Sequence, residues 1–187
     1  DASRRVLGYL YRTRHLGLRY DPSTQPLEGM SDSDWAVKHS TTGFVFSFGS
    51  ACISWASKKQ PRVSLSSCEA EIMAGSEAAK EAIYLSNFLA ELGFGSTSPP
   101  NLHMDNKSAI DLAYNPEHHA RTKHIDRRHY FIRECVEEGK LRVPFVATAD
   151  NMADFFTKAL PAKRFYALRN KIMNVPVHLA SDSTRDD

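Results

Sequence analysis

Long hydrophobic runs are missing from this 187-residue chain, and no signal segment opens it. Nothing in it reaches the length of a membrane span, so no membrane partner is expected. Cysteine is scarce. Cys52, Cys68 and Cys135 are odd in number, widely spaced and flanked by no metal-type spacing. That argues against a disulfide framework and a zinc site, and for a reducing, intracellular compartment. Internal repeats and low-complexity segments are absent. An excess of one sign of charge is lacking too, since a formal net charge of +2 names no partner. The chain also lacks an initiator methionine and begins in mid-helix, with Val6, Leu7 and Leu10 spaced to face something; a piece of a longer polypeptide is expected. What remains is ordinary globular composition, 42% hydrophobic and 25% charged, with length enough for one domain and a real core.

Charge is uneven along the chain. Arg4, Arg5, Arg12, Arg14 and Arg19 crowd the start, and residues 116–133 carry Arg121, Lys123, Arg127, Arg128 and Arg133 with four histidines. Such runs make either solvated surface or phosphate-binding faces. A basic amphipathic piece, about 2–16, runs into the break "YDPSTQP". Three strand-like pieces follow, "LEGMSDSDW", "TGFVFSFGSA" and "CISWASKK", separated by short turns as in an antiparallel meander. A long helix, about 67–92, is stopped by Gly93. The strand "LHMD" runs into a helix over about 107–115, and a further helix over about 125–138 ends at Gly139. The strand "LRVPFVAT" contains Pro144 and belongs at a sheet edge. A last helix is expected from near Asp150 through "NMADFFTKAL", and the final residues show no periodicity and read as disordered. The order predicts an α/β fold: a mixed five-stranded sheet, three antiparallel strands then parallel βα units, with helices on both faces.

Four acidic residues sit where structure alone would not put them. Asp32 lies in the first strand, on one face with Met30 and Asp34. Asp105 closes a strand, where ligands of α/β sheets gather. Asp154 lies in the first turns of the last helix, whose positive end favours an anion. Glu71 is the most telling. On a 100° helical period Glu69 falls with Lys80, Asn87 and Glu91 on a face open to water, whereas Glu71 falls with Ala78, Ala82, Leu85, Leu89 and Leu92 in the apolar stripe. A carboxylate facing a core is costly unless a cation or donors meet it. Crowded carboxylates raise one another's pKa, and hard oxygen donors without a His/Cys set suit two Mg²⁺ or Mn²⁺ ions.

The order Asp, Glu, Asp, Asp on strand, helix, strand and helix resembles the ribonuclease H superfamily. The local words "SDSDWA", "TTGFVF", "ISWASKKQPRVSLSSCEAEIMA", "EAAKEAIYL", "MDNKSAI", "HARTKHID", "HYFIRE" and "NMADFFTKALP" resemble the ribonuclease H domain that follows the reverse transcriptase in copia-type retrotransposon polyproteins. The resemblance implies a ribonuclease H-like fold and two-metal hydrolysis of the RNA strand of RNA–DNA hybrids during reverse transcription. It implies Asp32, Glu71, Asp105 and Asp154 as catalytic metal ligands, with Asp34 supporting or structural. The upstream reverse transcriptase portion of the same polyprotein becomes an expected partner. Residues 1–25 read as its end or a linker, 26–168 as the ribonuclease H-like domain and 169–187 as a tail. The setting implied is a cytoplasmic virus-like particle or the nucleus.

Nucleic-acid contacts are implied for Ser66, Ser67, Lys58, Lys59, Asn106, Arg121, Lys123 and His124. For Ser66 and Ser67 two readings stand, contact with a 2′-hydroxyl or helix capping. Lys58, Lys59 and Arg62 either touch phosphate or are only solvated. One departure from many relatives is the segment "FVATADNMAD", which has no histidine before the last aspartate. The alternatives are a catalytically inactive or domesticated hybrid-binding fragment and, from its order of acids a poorer match, an integrase-like nuclease.

Overall fold

The computed structural model describes residues 2–21, 25–36, 38–114 and 131–176. An amphipathic helix, α1 (Ala2–Arg12), precedes the meander β1 (Glu28–Asp34), β2 (Thr41–Phe48) and β3 (Ala51–Lys59). The long helix α2 (Ser67–Glu91) leads to β4 (Asn101–His103), α3 (Lys107–Tyr114) and α4 (Phe131–Glu137). The one-turn helix α5 (Asp154–Thr157) and α6 (Ala162–Met173) close the described fold. The sheet order is β3-β2-β1-β4, antiparallel except for β1 with β4. Among the described residues no helix is long and apolar enough to cross a membrane.

β2 is central, and its alternation feeds two cores. Phe44 and Phe46 point into the larger one, with Ile72, Leu85, Leu102, Leu112 and Ile132 from α2, β4, α3 and α4. Val45 points the other way, toward Leu168 and Ile172 of α6, with Phe155 and Phe156 of α5 packed alongside. Helices therefore cover both faces, as expected. The alanines of α2 (Ala70, Ala74, Ala78, Ala79, Ala82) are buried and leave little bulk between the helix and its neighbours. Its end is a Schellman-type stop. Gly93 takes φ 84°, and the Phe94 N–H reaches back to the Leu89 carbonyl. Gly139 (φ 68°) ends α4 in the same way, through the Lys140 N–H and the Cys135 carbonyl.

Several expectations need correction. Four strands pair continuously where five were expected. The "LRVPFVAT" segment does run parallel to β4, but as isolated bridges at Asn101–Arg142 and Met104–Phe145. The Arg142 and Val146 N–H groups bond to the Pro100 and Met104 carbonyls, while Pro144 between them has no N–H to give. The single last helix is two. A 3₁₀ turn (Thr148–Asp150) precedes α5, and the chain extends at Lys158 before Pro161. The residue before a proline, here Leu160, is driven away from helix, so no single helix can run through Pro161 and α6 starts afresh there. α6 crosses residue 168, with Leu168 and Ile172 in the second core. Leu92, placed in the apolar stripe of α2, is instead its C-cap and is 56% exposed. Of the helix expected over 125–138, residues 125–130 lie outside the described residues.

Candidate metal centre

The carboxyl ends of β1 and β4 and the first turns of α2 converge on one spot. Asp32, Glu71 and Asp105 each bring a carboxylate oxygen within 4.8 Å of the other two. Asp32 is 1% exposed and Glu71 7%. Burial above all, and then the fields of Asp32 and Asp105, push the Glu71 carboxyl up to about 8, against the Ser33 backbone N–H and Lys158, which pull it down. Its second oxygen, Oε2, is buried and has no hydrogen-bond partner among the described residues. A buried acceptor left orphaned beside two further carboxylates fits a hard divalent cation, whose charge and oxygen preference would satisfy all three.

Local structure sets Glu71 in place. Ser66 takes extended backbone (φ −150°, ψ 161°) and its Oγ accepts the Glu69 N–H at 3.1 Å. Glu69 Oε2 accepts the Leu65 N–H at 2.7 Å, a capping-box arrangement shifted by one residue. Glu69 is therefore 7% exposed, not on a face open to water as the helical period suggested. Behind the cap, buried Gln60 donates to the Thr42 Oγ1 and the Ala70 carbonyl and accepts from Ser64 Oγ. That network ties the end of β3 to the turn of α2 carrying Glu71.

Asp154 is treated differently. It is 1% exposed, but Lys158 Nζ donates to its Oδ1 at 2.6 Å and Arg164 holds its Oδ2. The same Lys158 Nζ reaches Asp32 Oδ1 at 3.0 Å, and Thr157 Oγ1 donates to Asp32 Oδ2. Asp154 thus lies outside the three-acid group and joins it through a lysine ammonium. Burial would lower that ammonium's pKa, but hydrogen bonds and fields from Asp154 and Asp32 raise it above the usual lysine value. Burial pushes the Asp32 carboxyl up, while Thr157 and Lys158 pull it down. The approach of α5 depends on Gly43, paired with Asp32. A Cβ there would meet Thr157 Cγ2 at 2.5 Å and the Ala153 carbonyl oxygen at 3.1 Å. Asn151, wholly buried, donates to the Ser31 carbonyl and accepts the Ala153 N–H, pinning the approach to α5 on β1.

No family model matches the sequence. It is 41% identical over 169 residues to the retrovirus-related Pol polyprotein from transposon TNT 1-94 of Nicotiana tabacum, covering 88% of this chain and 13% of that protein. It is 39% identical over 177 residues to the corresponding polyprotein from transposon RE1 of Arabidopsis thaliana, covering 92% and 12%. The chain thus spans only a small part of the length of these relatives. Among solved structures it resembles the N-terminal RNase H domain of a Mycobacterium tuberculosis protein, with a TM-score of 0.52 at 13% identity, over 78% of this chain and 96% of that one. The chain has the ribonuclease H fold and resembles a segment of retrotransposon Pol polyproteins in sequence.

Within this ribonuclease H fold the other expected residues scatter. Ser66 is used as the cap of α2, while Ser67 is exposed. Asn106 Oδ1 accepts the Ala109 N–H and caps α3. Asp34 is exposed at the end of β1. Lys58 and Lys59 are exposed and, with Arg62 and Lys80, line a cleft of about 340 Å³ between the sheet and α2 that includes none of the four carboxylates. Arg121, Lys123 and His124 lie outside the described residues. Sequence reasoning missed Thr157, Lys158 and Arg164. A signal was present for one of them, since Lys158 stands four residues after Asp154, the spacing of a helical ion pair.

Proposed function

We propose that this chain is a divalent-metal-dependent endonuclease that hydrolyses the RNA strand of RNA–DNA hybrids, as a domain of a copia-type retrotransposon polyprotein. The observation that carries the reading is the orphaned Glu71 Oε2 within the Asp32–Glu71–Asp105 group. In this reading those three residues hold one Mg²⁺ or Mn²⁺, and Asp32 with Asp154 serves a second. Bound there, such ions supply Lewis-acid chemistry, activating water and offsetting charge on the departing oxygen. The chain's own part is to gather the acids, keep Asp32 and Glu71 away from bulk water, and hold Asp32 in one orientation through Thr157. Lys58, Lys59 and Arg62 offer cations for the phosphate backbone along the cleft. Ser67, exposed at the start of α2, is the proposed contact for a 2′-hydroxyl. The upstream reverse transcriptase portion would be its partner in the polyprotein, residues 26–168 the core of the nuclease, and the setting intracellular.

The test is substrate choice. Purified protein with Mg²⁺ is offered labelled RNA–DNA hybrid, duplex DNA and single-stranded RNA. Cleavage confined to the RNA of the hybrid, with affinity falling steeply as salt rises, is the expected result. Equal cutting of duplex DNA would return the integrase-like reading.

A further inference from the structure

Deepening the preceding reading, and resting on it for the metal, we propose that Lys158 is a tethered cation that holds the place of a second divalent ion between Asp32 and Asp154. Its Nζ lies 3.0 Å from Asp32 Oδ1 and 2.6 Å from Asp154 Oδ1, bridging two buried carboxylates as a shared cation would. Every oxygen of these two acids is already met, by Lys158 and Thr157 on Asp32 and by Lys158 and Arg164 on Asp154. Glu71 Oε2, by contrast, has no hydrogen-bond partner among the described residues. With Glu71 ionised, as a bound cation requires, the four carboxylates stand against two cationic side chains among the described residues and leave two negative charges, which one divalent ion cancels. The free protein is thus balanced for one ion, held by Asp32, Glu71 and Asp105. A second must displace the ammonium.

Lys158 can yield. Its side chain is 34% exposed, and it stands on the extended segment after α5, not inside a helix. An incoming phosphate gives the displaced ammonium somewhere to go. Loading of the second ion is thereby coupled to the arrival of nucleic acid, with Lys158 as a positioning residue rather than a metal ligand.

The experiment counts bound Mn²⁺ by electron paramagnetic resonance and calorimetry, without nucleic acid. The parent is expected to bind one ion per chain and Lys158→Met two, the second at least roughly tenfold tighter than in the parent, because a like charge has left the position. Arg164→Met, which removes the other cation from Asp154 but leaves Lys158, is expected to keep one. Should Lys158→Met fail to fold in EDTA, it is refolded in Mn²⁺, desalted and its metal content measured. Two tight ions in the parent, or any count other than two in Lys158→Met, overturns the proposal. Hybrid cleavage plays no part in these counts, so an inactive parent would tell against the nuclease reading and leave this test standing.

Discussion

Glu71 and Asp154 are both buried acids on helices that flank β1, and the fold handles them in opposite ways. Asp154 is met on both oxygens by cations from the residues that follow it, Lys158 and Arg164. Among the described residues Glu71 has one backbone donor and two neighbouring carboxylates, and burial first, then those carboxylates, push its pKa up to about 8. A buried carboxylate that is compensated locally supports structure without help. One left uncompensated beside two others marks where the molecule needs something it does not itself carry. Burial alone does not separate the two, since each is almost fully covered; the neighbours do.

Removing the uncompensated charge is expected to have the largest effect. Glu71→Gln should lower metal-dependent cleavage more than about 100-fold, since even supporting partners of metal ligands are commonly worth about 10–100-fold in affinity or activity. The same variant sharpens the comparison through pH. In the metal-free parent Glu71 titrates near 8 when folded and near the ordinary 4.5 when unfolded. Between these values the folded state holds more protons at this group, so its contribution to stability is full below about 4.5, falls as pH rises and is lost above about 8. Glu71→Gln should lose that slope and melt higher than the parent in EDTA at pH 8. Mg²⁺ should stabilise the parent increasingly toward pH 8, because the ion binds the ionised form. Melting curves from pH 5 to 9, with and without Mg²⁺, check each point.

The compensated side breaks through its packing. Gly43→Ala forces a methyl against Thr157 and the Ala153 carbonyl. It should cost about 1–3 kcal/mol by pushing α5 off the sheet. The displacement acts on Thr157, Lys158 and Asp154 while Glu71 and Asp105 stay in place, so binding of the first ion should weaken through the loosened Asp32 but persist. Calorimetric melting and Mn²⁺ titration of the one variant read both effects. The smallest effects belong to the helix start. Ser66→Ala should cost about 1 kcal/mol as a lost cap and leave cleavage near the parent's. Glu69→Gln keeps an acceptor for the Leu65 N–H and should stay within about 0.5 kcal/mol. Loss of cleavage in Ser66→Ala without a change in melting would give its hydroxyl to the RNA instead.

Much of this arrangement was legible in the sequence where periodicity carries the signal. Alternation in the meander, the long period of α2 and the Gly93 and Gly139 stops point to the layers and to the antiparallel meander, but not to β4 pairing beside β1. The apolar neighbours of Glu71 mark it as an outlier in the sequence itself. Periodicity fails over short distances. Glu69 was put in water because a helical wheel knows nothing of the cap, where a side chain turns back along its own backbone. Lys158 and Arg164 escaped notice because α5 is a single turn, too short to show a face, and Pro161 divides what read as one helix. Pro144 marks an edge segment in the sequence, and its missing N–H also keeps the fifth strand from pairing continuously.

The central claim is that the Asp32–Glu71–Asp105 group makes this ribonuclease H fold a metal-dependent hydrolase of hybrid RNA. Asp105→Asn tests it most directly, because Asp105 belongs to the group and carries none of the Lys158 or Thr157 contacts that orient Asp32. Parent and variant are each incubated with end-labelled RNA annealed to DNA, in Mg²⁺ and in EDTA, after melting curves have shown both to be folded. Shortened RNA is expected only from the parent in Mg²⁺. Cleavage that survives Asp105→Asn or EDTA, or a folded parent that binds the hybrid and leaves its RNA intact, would contradict the account.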